Sequence, residues 1–306
     1  MTGVALRRPA GPRFEPTRWA AWAFSALAAG TLLAMAVLFA VQSLPAWRHE
    51  GLGYLTGTTW FYRGELFGAL PMIYGTVVVA AIALVLATPV ALGAALFTGE
   101  FLGGRRRLWI KIPVELLAGV PSVVYGLLGL LLLREWIYRL LEPWDPLSGD
   151  TLLTGGVLLA VMILPTVMTL ADDALRGVPA SQRKAARGLG LTATEVAWRV
   201  SLPAARPGLV AAILLGLGRA LGETIAVFLV IGRQDNRWPE PLWSLAPVTG
   251  AGQTLTTKLG GSETWIAYGD PLHWGAMVGL AVILLALVLS LSLAGGSLAL
   301  AGRKGA

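Results

Sequence analysis

The chain has no cysteine, two histidines and four lysines among 306 residues, and charged residues make up only 13% of it. Without cysteine there is no disulfide and no metal–thiolate chemistry. Two histidines are too few to suggest a metal centre. None of Lys111, Lys184, Lys258 and Lys304 precedes Ser or Thr, so there is no phosphate-cradling P-loop. His-Glu-x-x-His and Gly-x-Ser-x-Gly are missing too. The expectation is a chain without cofactor or catalytic set. If ATP drives anything here, ATP and Mg sit on another protein.

The few charges are segregated. Residues 19–41, 66–99, 116–133, 151–171 and 274–302 hold no Asp, Glu, Lys or Arg. Residues 207–232 hold only Arg219 and Glu223. About 20 helical residues cross a bilayer core, and most of these runs suffice. They lack the alternation of barrel strands, which leaves the helix as the way to satisfy the backbone in lipid. The fold expected is an all-α polytopic membrane protein. Its six transmembrane helices are placed at about 19–41, 70–97, 113–134, 151–171, 207–232 and 274–300.

A net charge of +7 raises nucleic acid as a partner, but its distribution points to membrane lipid instead. With the N-terminus cytoplasmic, inside segments hold 16 Lys/Arg and outside segments 7, with Arg219 in the membrane. That asymmetry places both termini and the segment 178–203 in the cytoplasm. Residues 1–18, rich in Pro and Arg, read as a cytoplasmic tail before a retained first helix. Residues 303–306 read as a short cytoplasmic end. Arg105, Arg106, Arg107 and Lys111 read as an anchor on acidic headgroups. Glu115 is either exposed at the interface or paired with a neighbouring helix. Pro89, Pro121 and Pro165 predict kinks.

Two stretches are chemically informative. The first is VPASQRKAARGLGLTATEVAWRVSLP, residues 178–203. Gly188 and Gly190 permit a sharp break, and Thr192 with Glu195 offers capping for a second short helix. Such a helix–break–helix suits insertion into a partner's groove. An interfacial helix without a partner is the plainer alternative.

The second is PGLVAAILLGLGRALGETIAVFLVIG, residues 207–232. Arg219 lies twelve residues from its start, roughly 18 Å deep at 1.5 Å per residue. An arginine there must face protein or water. Glu223, at i+4, is expected on the same helical face. Either the two form a satisfied pair that fixes packing, or Arg219 is a planar anion-binding group tuned by Glu223. Gly218 and Gly222 are expected to let another helix approach closely. The outside loop 233–273 is ordered enough to receive a partner, or is re-entrant or merely exposed. His273 reads as interfacial.

The spacing of Ala185, Ala186, Gly190, Val200, Leu202 and Pro203 resembles the EAA loop by which bacterial ABC-importer permeases dock on their ATPase. ELLAGVPSVVYGLLGL (115–130) and GRALGETIAVFLVIG (218–232) narrow the resemblance to phosphate importer permeases, nearer the PstC type than the PstA type. It covers most of the chain from about residue 65. It implies a type I ABC-importer permease fold with a cytoplasmic coupling helix. It also implies a second, PstA-type permease, a cytoplasmic ATPase dimer and an extracytoplasmic phosphate-binding protein. Arg219 and Glu223 fall where that family carries its intramembrane Arg and Glu. Lys184 stands where the motif's leading glutamate is expected, which alters the docking charge. A permease for sulfate or molybdate, and a membrane subunit that signals phosphate status, remain as other readings.

Overall fold

The computed structural model describes residues 16–144, 146–238 and 246–304. The tail at 1–15, residues 239–245 of the 233–273 segment and residues 305–306 lie outside them. Among the described residues, five helices are long and apolar enough to cross a membrane, and a bent pair makes a sixth if counted as one span.

Helix α1 (Pro16–Glu50) is followed by the turn α2 (Gly53–Thr56) and a small hairpin, β1 (Trp60–Phe61) and β2 (Leu66–Phe67). At 35 residues α1 exceeds the 19–41 expected for it. Its apolar side chains, such as Phe24, Leu27, Leu32 and Leu33, are exposed along the membrane stretch. Lipid is as apolar as Leu, so such a surface needs no protein cover. Only the end of α1 packs, where Ser43 and Ala46 are buried.

The core pair is α3 (Leu70–Leu96) against α7 (Leu152–Arg176). Without a hydrophobic drive between helices in lipid, close van der Waals approach does the work, and it needs small residues. In α3, Ala83, Ala87, Ala91 and Ala95 recur every fourth position and are buried. In α7, a Cβ on Gly156 would lie 2.5 Å from Ile82, so only glycine fits. Helix α7 is central: 67% of its most apolar window is buried, against 28% for α3.

Between them lie α4 (Gly104–Ala118), α5 (Ser122–Leu128) and α6 (Arg134–Leu141), the last two joined by a π-helical turn at Gly129–Leu133. The single kinked helix expected at 113–134 is instead two helices at 93°. Pro121 is the cause. It disfavours α backbone at Val120 and lacks the N–H to continue the helix. The Tyr125 hydroxyl donates to the Leu117 carbonyl at 2.8 Å and closes the elbow.

The second half holds α8 (Ala180–Gly188), α9 (Ala193–Val196), α10 (Leu202–Gly222), α11 (Ile225–Phe228), α12 (Ala246–Thr249), α13 (Leu255–Leu259), α14 (Glu263–Ala267) and α15 (Pro271–Lys304). Helix α10 lies on α7 through glycines: a Cβ on Gly216 would come within 2.4 Å of Val167, and one on Gly208 within 2.5 Å of Ala174. Gly275 and Gly279 of α15 face Pro45 and Tyr54 in the same way.

The 233–273 segment, expected outside, is neither simply exposed nor a bare surface. Gln253, Thr254, Thr256, Thr257 and Lys258 are buried. The Lys258 ammonium lies 2.6 Å from both Asp235 and Glu263. Glu263 also accepts from the Trp60 indole at 2.6 Å and contacts His273 at 2.9 Å. His273, expected at the interface, is buried in this network and stacked on Tyr62.

Candidate functional site in the transmembrane core

Helix α10 stops at Gly222, because Glu223 takes an extended backbone with ψ of 123°. The i+4 pairing of Arg219 with Glu223 is therefore not formed: that geometry needs an unbroken helix. Glu223 turns the other way and accepts from the Ala226 N–H at 3.2 Å, capping α11. Arg219 sits in the last turn of α10, where the helix dipole favours a cation. Its guanidinium donates to the Thr166 hydroxyl of α7 at 2.8 Å. Among the described residues, no carboxylate pairs with it. Arg219 and Glu223 are both half-buried.

Among the described residues the Gly218–Gly222 step packs on nothing, since a Cβ at either position would have no neighbour within 4 Å. The expected close helix contact is thus not made by the described residues of this chain. Leu215, Ile225, Leu127, Leu128 and Leu131 are exposed as well.

At the other end of the bundle, residues 178–203 fold as helix, break and helix. Gly190 adopts φ of +88°, a left-handed conformation that glycine takes without penalty. Thr192 accepts from Glu195 N–H while the Glu195 carboxylate accepts from Thr192 N–H, a capping box for α9. Lys184 and Ala185 are exposed and Ala186 is buried. Val200, Leu202 and Pro203, at the junction into α10, are half-buried. Leu189 at the tip is 83% exposed, and Trp198 is also exposed.

The unit is bolted to the bundle by Arg183. It forms an ion pair with Glu100 at 3.0 Å, without hydrogen-bond alignment, and donates to the Leu175 carbonyl and the Ser201 hydroxyl. Beside it, the buried Asp172 pairs with Arg107 and, at 3.3 Å, with Lys111. These two cations of α4 therefore hold α7 rather than serving only headgroups. Glu115 pairs with Lys111 at 3.5 Å on its own helix, not with a neighbour.

Residues 87–299 match the family described as binding-protein-dependent transport system inner membrane component. The chain belongs to this family. It is 37% identical over 250 residues to the phosphate transport system permease protein PstC of Mesorhizobium japonicum, covering 76% of this chain and 74% of that protein. It is 36% identical over 256 residues to PstC 1 of Mycobacterium tuberculosis, covering 73% and 75%. Among solved structures, the inward-facing MetNI methionine ABC transporter matches with a TM-score of 0.59 and 18% identity, over 76% of this chain and 94% of that one. A bacterial alginate ABC transporter matches with a TM-score of 0.53 and 14% identity, over 92% and 96%. The chain is a multi-pass inner-membrane transport component of the PstC group with the importer permease fold, and not an enzyme.

Sequence reasoning on this permease missed three partners: Thr166 for Arg219, Glu100 for Arg183, and Asp172 for Arg107 and Lys111. Glu100 and Asp172 each stand directly after an uncharged run. A carboxylate at that boundary, matched with surplus cations in the adjoining loops, was the available signal. Thr166 gives none, because a threonine in an apolar helix is ordinary.

Proposed function

We propose that this permease is the transmembrane subunit of an ATP-driven importer of inorganic phosphate and forms part of the translocation path. The observation that carries the reading is Arg219: a cation in the membrane core, held by a neutral hydroxyl, with no carboxylate among the described residues to cancel its charge. A guanidinium left with free N–H groups in a low-dielectric passage favours a tetrahedral oxyanion. The PstC relatives are phosphate transport permeases, and they supply the substrate of this reading, phosphate.

In this reading the termini and the 178–203 loop are cytoplasmic. Lys184, Ala185, Ala186, Gly190, Val200, Leu202 and Pro203 form the unit that docks on a separate ATPase dimer, where ATP and Mg bind. The exposed Leu189 and Trp198 support it. A PstA-type permease covers the open face of Gly218, Gly222 and Leu215. A phosphate-binding protein docks outside, and lipid surrounds α1.

The test is energy-dependent uptake of radiolabelled phosphate in cells with the gene intact, deleted, or restored as Arg219→Ala. Deletion abolishes uptake, Arg219→Ala fails to restore it although the chain reaches the membrane in full amount, and sulfate and molybdate do not compete. Competition by sulfate assigns another oxyanion. Normal uptake by the variant removes Arg219 from the path.

A further inference from the structure

The Thr166 hydroxyl is in an unusual state for a threonine in a membrane helix. Such hydroxyls ordinarily donate back to the carbonyl one turn earlier. Thr31, Thr76 and Thr98 do so here, at 2.9, 2.8 and 2.9 Å from the carbonyls of Leu27, Met72 and Ala94. Thr166 differs. Its oxygen accepts from Arg219, and among the described residues its own O–H donates to no protein acceptor. The side chain is half-buried, so the free proton is not sealed into the core.

Two consequences follow from that arrangement. An acceptor that carries no charge fixes the guanidinium without neutralising it, whereas a carboxylate in the same place would cancel the field an anion needs. The unused O–H also lies beside the unused N–H groups, because its oxygen is only 2.8 Å from the Arg219 nitrogen. One oxyanion can therefore take a charge-assisted hydrogen bond from the arginine and a neutral one from the threonine. The only acidic side chain nearby in sequence, Glu223, is turned away to cap α11.

We propose that Thr166 is a positioning residue for transport: it holds Arg219 at the angle that meets the anion and supplies the neutral donor of the same site. This rests on the reading of Arg219 as a path residue. Thr166 belongs to α7, the most buried span, so the pair also joins the central helix to the end of α10.

The experiment uses the whole transporter, purified with its associated subunits and reconstituted in vesicles, with phosphate uptake and ATP hydrolysis measured together. Thr166→Val keeps the shape and removes the hydroxyl; Thr166→Ser keeps the hydroxyl. Phosphate moved per ATP hydrolysed should fall roughly tenfold in Thr166→Val, the worth of one hydrogen bond to a charged group. Thr166→Ser should retain the wild-type ratio. Three results overturn the proposal. Thr166→Val keeps the wild-type ratio while Arg219→Ala is inactive, which leaves the Arg219 reading intact. Both variants lose uptake and hydrolysis in step, or fail to assemble, which assigns Thr166 to packing. Arg219→Ala transports normally, which removes the path reading and the proposal with it.

Discussion

A buried charge is informative through the partner it has. Glu100 and Asp172 are both nearly solvent-free and both meet arginine or lysine from another element. Removing one member of such a pair leaves an uncompensated charge, which costs more than the pair contributes. Arg183→Ala is therefore expected to destabilise the protein by about 3 kcal/mol, since it strands Glu100. Glu100→Gln in the same background should restore much of the loss. Thermal unfolding of the detergent-solubilised protein reads both. Arg219 is the contrast: its partner is neutral, and Arg219→Ala should cost transport rather than folding, as the uptake experiment and membrane level together will show.

At the scale of elements, breaks matter as much as helices. The chain interrupts α4 from α5 at Pro121, α8 from α9 at Gly190, and α10 from α11 at Glu223. Each interruption turns a continuous rod into pieces that face different directions. Gly190 is the one whose backbone demands glycine, because φ of +88° strains any residue with a Cβ. Proline, with φ fixed near −65°, cannot adopt it at all. Gly190→Pro is expected to leave the membrane helices inserted while phosphate uptake uncouples from ATP hydrolysis. Normal insertion with normal coupled uptake would count against the docking role of 178–203.

At the scale of the whole molecule, the segment around Lys258 and Glu263 is tied by charge, as the segment around Arg183 and Asp172 is. Burial pushes the Glu263 carboxyl up. Hydrogen bonds from Lys258 and Trp60, the Lys258 charge and the His273 contact outweigh this and hold it below its ordinary 4.5. A carboxyl depressed in the folded state contributes stability that is fully present above 4.5 and lost as pH falls through the depressed value. Thermal stability should therefore drop on acidification below 4.5, and Glu263→Gln should flatten that dependence. An equally steep fall in the variant would assign the acid sensitivity to other carboxylates.

How much was legible depends on how local the signal is. Six apolar stretches, the capping at Thr192 and the break at Gly190 are properties of neighbouring residues, and one strand of sequence carries them. The position of Arg219 inside an apolar run follows from counting along that run. By contrast, whether Glu223 meets Arg219 depends on where α10 ends, and that end is set by contacts of α11 and α13 rather than by the helix itself. The Thr256 hydroxyl of α13 donates to the Glu223 carbonyl at 3.0 Å, across 33 residues of chain. The open face of Gly218 is equally invisible in a motif, because Gly-x-x-x-Gly states what an approach would permit and not which helix arrives. Sequence by itself determined that this is a multi-spanning permease with a charged centre and a structured loop. Only the tertiary structure decided which charges are cancelled and which is left free, because that depends on side chains brought together from helices distant in the chain.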